Sequence, residues 1–267
     1  TRATRPTALT HKSCYRAEFG KEQGRATPRW RLPMLLSLSG PELGSLREHL
    51  SILLAALHKT RGEVVAIFDG LDRLFQPEKF WDVVEHDFSA LRQLKVSVIA
   101  AAPISILYGT GRWVSEHFDR VHHLPALMAA PESDELLRSV LEQRGGGDLL
   151  GPAEIELICS ASGGVLRDLI TLARDAGEEA YVAGRDVVRR GDVERAVHQL
   201  GLGYLRGLGP DQIAALLELE RTHALDPTSS TNLALLVTRR VLEYSATNFR
   251  VHPALLPLVT QPEARIA

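Results

Sequence analysis

Two carboxylates, Asp69 and Asp72, stand at the end of an unbroken apolar run, Val64-Val65-Ala66-Ile67-Phe68. A run this short and this apolar predicts a strand buried on both faces, as in a parallel sheet. Ligands collect beyond the carboxyl ends of such strands, so Asp69 falls where a sheet presents chemistry. The small Gly70 follows it, and Asp72 comes three positions after Asp69. Two carboxylates so placed suit a hydrated divalent cation beside a nucleotide. Asp69 would hold the water shell of the metal, and Asp72 would polarise an attacking water. The plainer reading is a strand-end turn capped by Asp69.

A second group lies in Gly163-Gly164-Val165-Leu166-Arg167-Asp168-Leu169-Ile170. The paired glycines permit a tight turn into a helix. Arg167 then sits near that helix's N-terminus, where a guanidinium can reach a phosphate across a cleft. Against this stands a surface arginine paired with a neighbouring carboxylate. A third set is Arg239 and Arg240, at the end of a candidate recognition helix, with Arg250 on a following hairpin. Such residues could contact DNA phosphates and base edges, whereas the adjoining Leu233, Leu235, Leu236 and Val237 suit packing. His122-His123 and His252-Pro253 lack a metal-ligand partner at helical spacing and read as structural histidines.

The elements that must position these residues follow from periodicity. Leu32–Leu38 reads as a strand, and residues 43–58 carry Leu46, Leu50, Leu53, Leu54 and Leu57 at helical spacing. The acid-tipped strand comes next, then a helix over 77–94 with Phe80, Val83, Val84, Phe88 and Leu91 on one face. Val96–Ala102 is a second buried strand ended by Pro103. A short helix, a break at Gly109-Thr110-Gly111 and a last strand over Arg120–Leu124 complete this part. Alternating strands and helices specify a parallel sheet with right-handed crossovers. The chain then reads as all-helical. Ser133 or Asp134 caps a helix running to about Arg144, Pro152 starts another, Gly163-Gly164 leads into a long one, and Asp192 caps a fourth. Helices over 211–221 and 231–239, then a hairpin of Val241–Tyr244 and Phe249–His252, suggest a winged helix-turn-helix module.

Bulk composition limits the function classes. Of 267 residues, 45% are apolar and 24% charged, which supports a packed core. A net charge of −2 makes no demand for nucleic acid or an acidic membrane. The charge is uneven, however. Through Leu32 the chain has eight basic residues against Glu18 and Glu22, which predicts a mobile basic leader. Cys14 and Cys159 are too few for a disulfide framework or a zinc site, so a reducing, cytoplasmic setting is expected. No run reaches the roughly 20 apolar residues of a membrane helix.

The order of parts is more specific than any one of them. An acid-tipped strand, a second buried strand, a helical bundle with Gly-x-x-Arg and a winged helix resemble the AAA+ and STAND families of P-loop ATPases, NACHT-like switch proteins among them. The resemblance spans about residues 32–258. It implies an α/β fold: a parallel-sheet P-loop NTPase-like core lacking its first strand, followed by a helical lid and a winged helix. The corresponding divisions are a leader (1–31), the partial core (32–130), the lid (131–206) and the winged-helix-like module (207–267). By the same resemblance Asp69 is the Walker B acid that holds Mg2+, Asp72 orients the catalytic water, and Arg167 is the sensor 2 arginine that binds the nucleotide. The implied cofactors are Mg2+ and ATP, and the implied activity is a slow ATPase driving a signalling or defence switch.

Two departures qualify that expectation. No Gly-x-x-x-x-Gly-Lys-Ser/Thr loop occurs in the sequence, and that loop supplies the N–H nest and lysine that hold phosphates. The expectation is a chain that starts after this loop, or a degenerate member lacking it, with weak or absent nucleotide binding. The second strand also lacks the polar tip expected of sensor 1, and Ser105 is the nearest candidate. Without the loop's strand, the strand ending at Ala102 has an uncovered edge. Besides a nucleotide, expected partners are another protein or a second copy of the chain. The alternatives are a DNA-binding winged-helix regulator and an inert protein–protein scaffold.

Overall fold

A computed structural model of the chain describes residues 18–20, 27–29, 40–74, 76–108, 114–127, 131–146 and 148–261. The chain forms two compact units, Thr1–Val64 and Val65–Ala267. In the first, β1 (Glu18–Gly20) and β2 (Thr27–Arg29) pair antiparallel, inside the stretch expected to be a leader. The helix α1 (Gly40–Arg61) covers the expected leucine-rich segment, and Ile52 and Leu53 on it are exposed. The expected strand Leu32–Leu38 lies outside the described residues.

The second unit opens with β3 (Val65–Phe68) and β4 (Ser97–Ala100), which pair parallel with Phe68 opposite Ala100. Parallel pairing requires a crossover. Here it consists of α2 (Pro77–Val83), a π-turn over Val84–Phe88 and α3 (Ser89–Gln93), placed end to end. Pro77 begins α2 where a helix has no need of its N–H. Phe80, Trp81, Val84 and Phe88 are buried and pack against Phe68, Val98 and Ala100 of the strands. The rings of Phe68 and Phe88 lie 4.9 Å apart.

Burial on both faces of the strands is not what the structure shows. Ala66, Phe68, Val98 and Ala100 face the crossover helix, whereas Val65, Ile67 and Ile99 are 45%, 72% and 59% exposed. An apolar run records the preference of its side chains but not the number of layers available to cover them. Ile67→Thr keeps the β-branch and removes little buried area. It is expected to change stability by no more than about 0.5 kcal/mol, measured by urea unfolding. A loss of the size produced by truncating a buried core residue would mean that this face is covered in solution.

The short helix α4 (Ser105–Tyr108) follows β4. The break at 109–111 lies outside the described residues. The expected last strand does not form: residues 120–124 pair with no strand among the described residues, and Leu124 is 88% exposed. The end of this connector is anchored, where Ala126 N–H donates to the Glu243 carbonyl (2.9 Å) and Leu127 N–H to the Gly164 carbonyl (3.3 Å).

Four helices form the next core: α5 (Pro131–Leu141), α6 (Pro152–Ala161), α7 (Leu166–Val182) and α8 (Arg190–Leu205). The first ends earlier than the sequence suggests and continues as a π-turn, Glu142–Gly146. Leu137, Ile158, Leu169, Leu172, Ala176 and Val193 fill the centre. Asp192 is not the N-cap of α8; it lies in the first turn and accepts the Arg189 N–H at 2.9 Å. Arg185 and Arg195 also donate to its buried carboxylate. Burial alone would raise its pKa, but that N–H and the two guanidinium groups hold it below the ordinary range.

The last core joins α9 (Pro210–Thr222), α10 (Ser230–Val237), the antiparallel hairpin of β5 (Val241–Ser245) and β6 (Asn248–Val251), and α11 (Leu256–Thr260). Leu216, Leu219, Leu235, Phe249, Val251 and Leu255 are its buried centre. Ile104 and Tyr108, from the segment after β4, pack against it.

Candidate functional site

Asp69 directly follows β3, at the carboxyl rim of the parallel pair, where the Ala101 N–H donates to the Phe68 carbonyl at 2.9 Å. Gly70 turns the chain with φ +92°, a conformation that side chains strain to adopt. Asp72 lies in the single 3-10 turn Leu71–Arg73 that follows. Both carboxylates are exposed, and neither has a hydrogen-bond or ion-pair partner among the described residues. Ser105 is not a rim residue. It is 1% exposed at the start of α4, and its hydroxyl has no partner among the described residues.

Arg167 occupies the first turn of α7, and its side chain is exposed. A cation there faces the positive end of the helix dipole, and no carboxylate pairs with it among the described residues. Its position suits an external anion. Among the described residues no contact joins Arg167 to Asp69 or Asp72.

The glycines before α7 are held by close packing. Gly163 and Gly164 have φ +59° and +77° and are buried. A Cβ on Gly164 would lie 1.8 Å from the Leu127 carbonyl oxygen, and one on Gly163 would lie 2.5 Å from Leu242 Cδ1. The Gly163 carbonyl accepts the Tyr244 hydroxyl at 3.0 Å. The turn that presents Arg167 is therefore wedged between the connector and the C-terminal hairpin.

Next to Arg167 the structure reveals a buried polar cluster. Asp168 is 4% exposed, and its Oδ2 accepts the Tyr204 hydroxyl (2.6 Å) and His252 Nε2–H (3.2 Å). His252 is fully buried, and its Nδ1 accepts the Ala254 N–H at 3.2 Å, which places the ring proton on Nε2. Tyr204 and His252 stack with centroids 4.5 Å apart. Burial acts to raise the Asp168 pKa, but the hydrogen bonds from His252 and Tyr204 outweigh it and hold the carboxyl below its ordinary value. Burial and the bond to Asp168 push the Tyr204 phenol up. His252 is thus a satisfied structural histidine, as its lack of ligand spacing suggests. Asp168 carried a signal in the sequence: it stands one turn before Leu172, on the buried stripe of α7, where a carboxylate requires partners.

The three arginines considered for DNA are differently disposed. Arg240 donates to the Tyr204 (2.7 Å) and Arg206 (2.8 Å) carbonyls, which end α8 without intrahelical partners. Arg239 is half-buried with φ +58°, and Arg250 is exposed and bonded to His223.

No family model matches the chain, and no curated protein matches its sequence. Among solved structures, a mutant of Thermotoga maritima RuvB is 14% identical with a TM-score of 0.39, covering 82% of this chain and 95% of its own. The T. maritima RuvB Holliday junction branch migration motor is 17% identical with a TM-score of 0.40, covering 77% of this chain and 71% of its own. Aeropyrum pernix ORC2, in ADPNP–ADP complexes, is 17% identical with a TM-score of 0.44, covering 78% and 66%. Likenesses this remote carry no weight. Among the described residues no helix is long and apolar enough to cross a membrane, and no three His, Cys, Asp or Glu residues cluster as a metal cage.

Proposed function

We propose that the chain is an AAA+/STAND-type nucleotide-switch module without a phosphate loop in residues 1–267. In this reading residues 32–130 form the partial NTPase core, 131–206 the lid and 207–267 a winged-helix module. The observation that carries it is the pair of carboxylates, without partners among the described residues, at the rim of a parallel strand pair. Magnesium suits these donors, since it keeps most of its waters and takes one or two carboxylates together with substrate phosphates. Asp69 would hold the hydrated ion and Asp72 would orient a water, while Arg167 would pair with the terminal phosphate. Bound Mg2+ would neutralise charge on the phosphates. With no Gly-x-x-x-x-Gly-Lys-Ser/Thr in this sequence, affinity is expected to be millimolar or weaker, without turnover.

Titration of the chain with Mg-ATP, followed by amide chemical shifts, tests this reading. Shifts are expected at residues 69–73 and 166–168 in fast exchange. Asp69→Asn should remove the first set and Arg167→Ala the second. Shifts confined to other surfaces, or none at millimolar nucleotide, would overturn the assignment. A DNA-binding role for the C-terminal module draws less support, because Arg240 is committed to the end of α8 and Arg239 is half-buried.

A further inference from the structure

We propose that Glu243, with His123 and Tyr108, forms a proton-sensitive latch that fastens the connector to the C-terminal hairpin. The proposal does not depend on nucleotide. Glu243 lies on β5 and is 4% exposed. Its Oε1 accepts the Tyr108 hydroxyl at 2.6 Å. Its Oε2 is buried without a hydrogen bond among the described residues, yet His123 Nε2 stands 3.4 Å away. The His123 side chain is 32% exposed, so water can exchange protons with a ring that faces a buried carboxylate.

Imidazole is the side chain whose charge changes in the neutral range. A neutral ring can offer Oε2 only an uncharged Nε2–H donor. A protonated ring gives Oε2 the charge-assisted donor it lacks. Among the described residues, Tyr108 and His123 are the titratable side chains that meet the Glu243 carboxylate. The titratable group from α4 is Tyr108, whose phenol is pushed up by burial and by its bond to Glu243. The connector contributes His123, and the strand partner across the hairpin is Phe249. The same connector donates Ala126 N–H to the Glu243 carbonyl and Leu127 N–H to Gly164. Closing the latch therefore tightens the backbone seam between the parallel-strand part and the helical bundle.

Hydrogen exchange of the Ala126 and Leu127 amides in the full chain reads the latch directly. Protection is taken relative to the Leu169 amide, which bonds Val165 inside the bundle and reports global opening. Between about pH 8 and about pH 6, relative protection of the two connector amides is expected to rise about fivefold in the wild type. His123→Gln should abolish the rise. Glu243→Gln, which still accepts from Tyr108 and can donate to a neutral ring, should also give a flat profile. A flat wild-type profile, or an undiminished rise in either variant, would overturn the proposal.

Discussion

Gly164→Ala is expected to destabilise the second unit by about 3–5 kcal/mol, lowering its urea midpoint far more than a typical surface change. Two costs combine. At φ +77° an L-residue is strained, and the new Cβ would lie 1.8 Å from the carbonyl oxygen of Leu127, a backbone atom that cannot swing aside. Relief requires the connector to move, which breaks the Leu127 N–H bond to Gly164. Gly184→Ala is the internal control. Its φ is +67°, but a Cβ there meets nothing within 4 Å. It should therefore cost about 1 kcal/mol from strain alone. Equal midpoints for the two variants would show that the connector yields and that the wedge around Arg167 is soft.

Asp168→Ala is expected to cost about 3–5 kcal/mol, because it leaves the buried His252 Nε2–H and the half-buried Tyr204 hydroxyl without their acceptor. Asp168→Asn, which keeps one carbonyl oxygen, should cost less. The two differ further in their response to pH. The folded-state pKa of Asp168 lies below its ordinary 3.8. Its stabilisation is therefore fully present above the unfolded value and is lost as pH falls through the folded one. The wild type should weaken on acidification through that window, and Asp168→Asn should show a shallower decline. Asp192, also lowered, keeps the decline from vanishing altogether. Urea midpoints measured against pH would decide this. A wild type and an Asn variant with parallel profiles would mean that Asp168 is not the charged acceptor in the cluster.

These two sites differ in how far they could be read in advance. The Gly163-Gly164 pair before an apolar helix announced a tight turn. The identity of the backbone pressed against it, Leu127, depends on how the connector returns across the bundle. Asp168 could be placed on the buried stripe of α7 by counting turns, but its partners lie 36 and 84 residues away along the chain. Glu243 was less visible still. It stands between the apolar Leu242 and the half-buried Tyr244 on a hairpin strand, and its phenol partner is 135 residues distant. The segment 120–124 failed for a related reason. Its β-branched and apolar residues favour extension, but a strand exists only where another offers its backbone.

Local order in this protein was set by the sequence. Short-range periodicity and the glycine and proline positions determined the β3–α–β4 crossover, the helices from α5 onward, the hairpin and the acid-tipped rim, because those patterns act over a few residues. Tertiary structure alone decided which faces are covered and which charges are paired. It left Ile67 and Ile99 bare, kept Asp69, Asp72 and Arg167 free of partners among the described residues, and gathered Asp168, Tyr204 and His252 into one buried cluster. Pairing and burial depend on contacts between segments far apart in the chain. The closure of those long loops, and the desolvation of the groups they bring together, are properties of the whole fold that no local window contains.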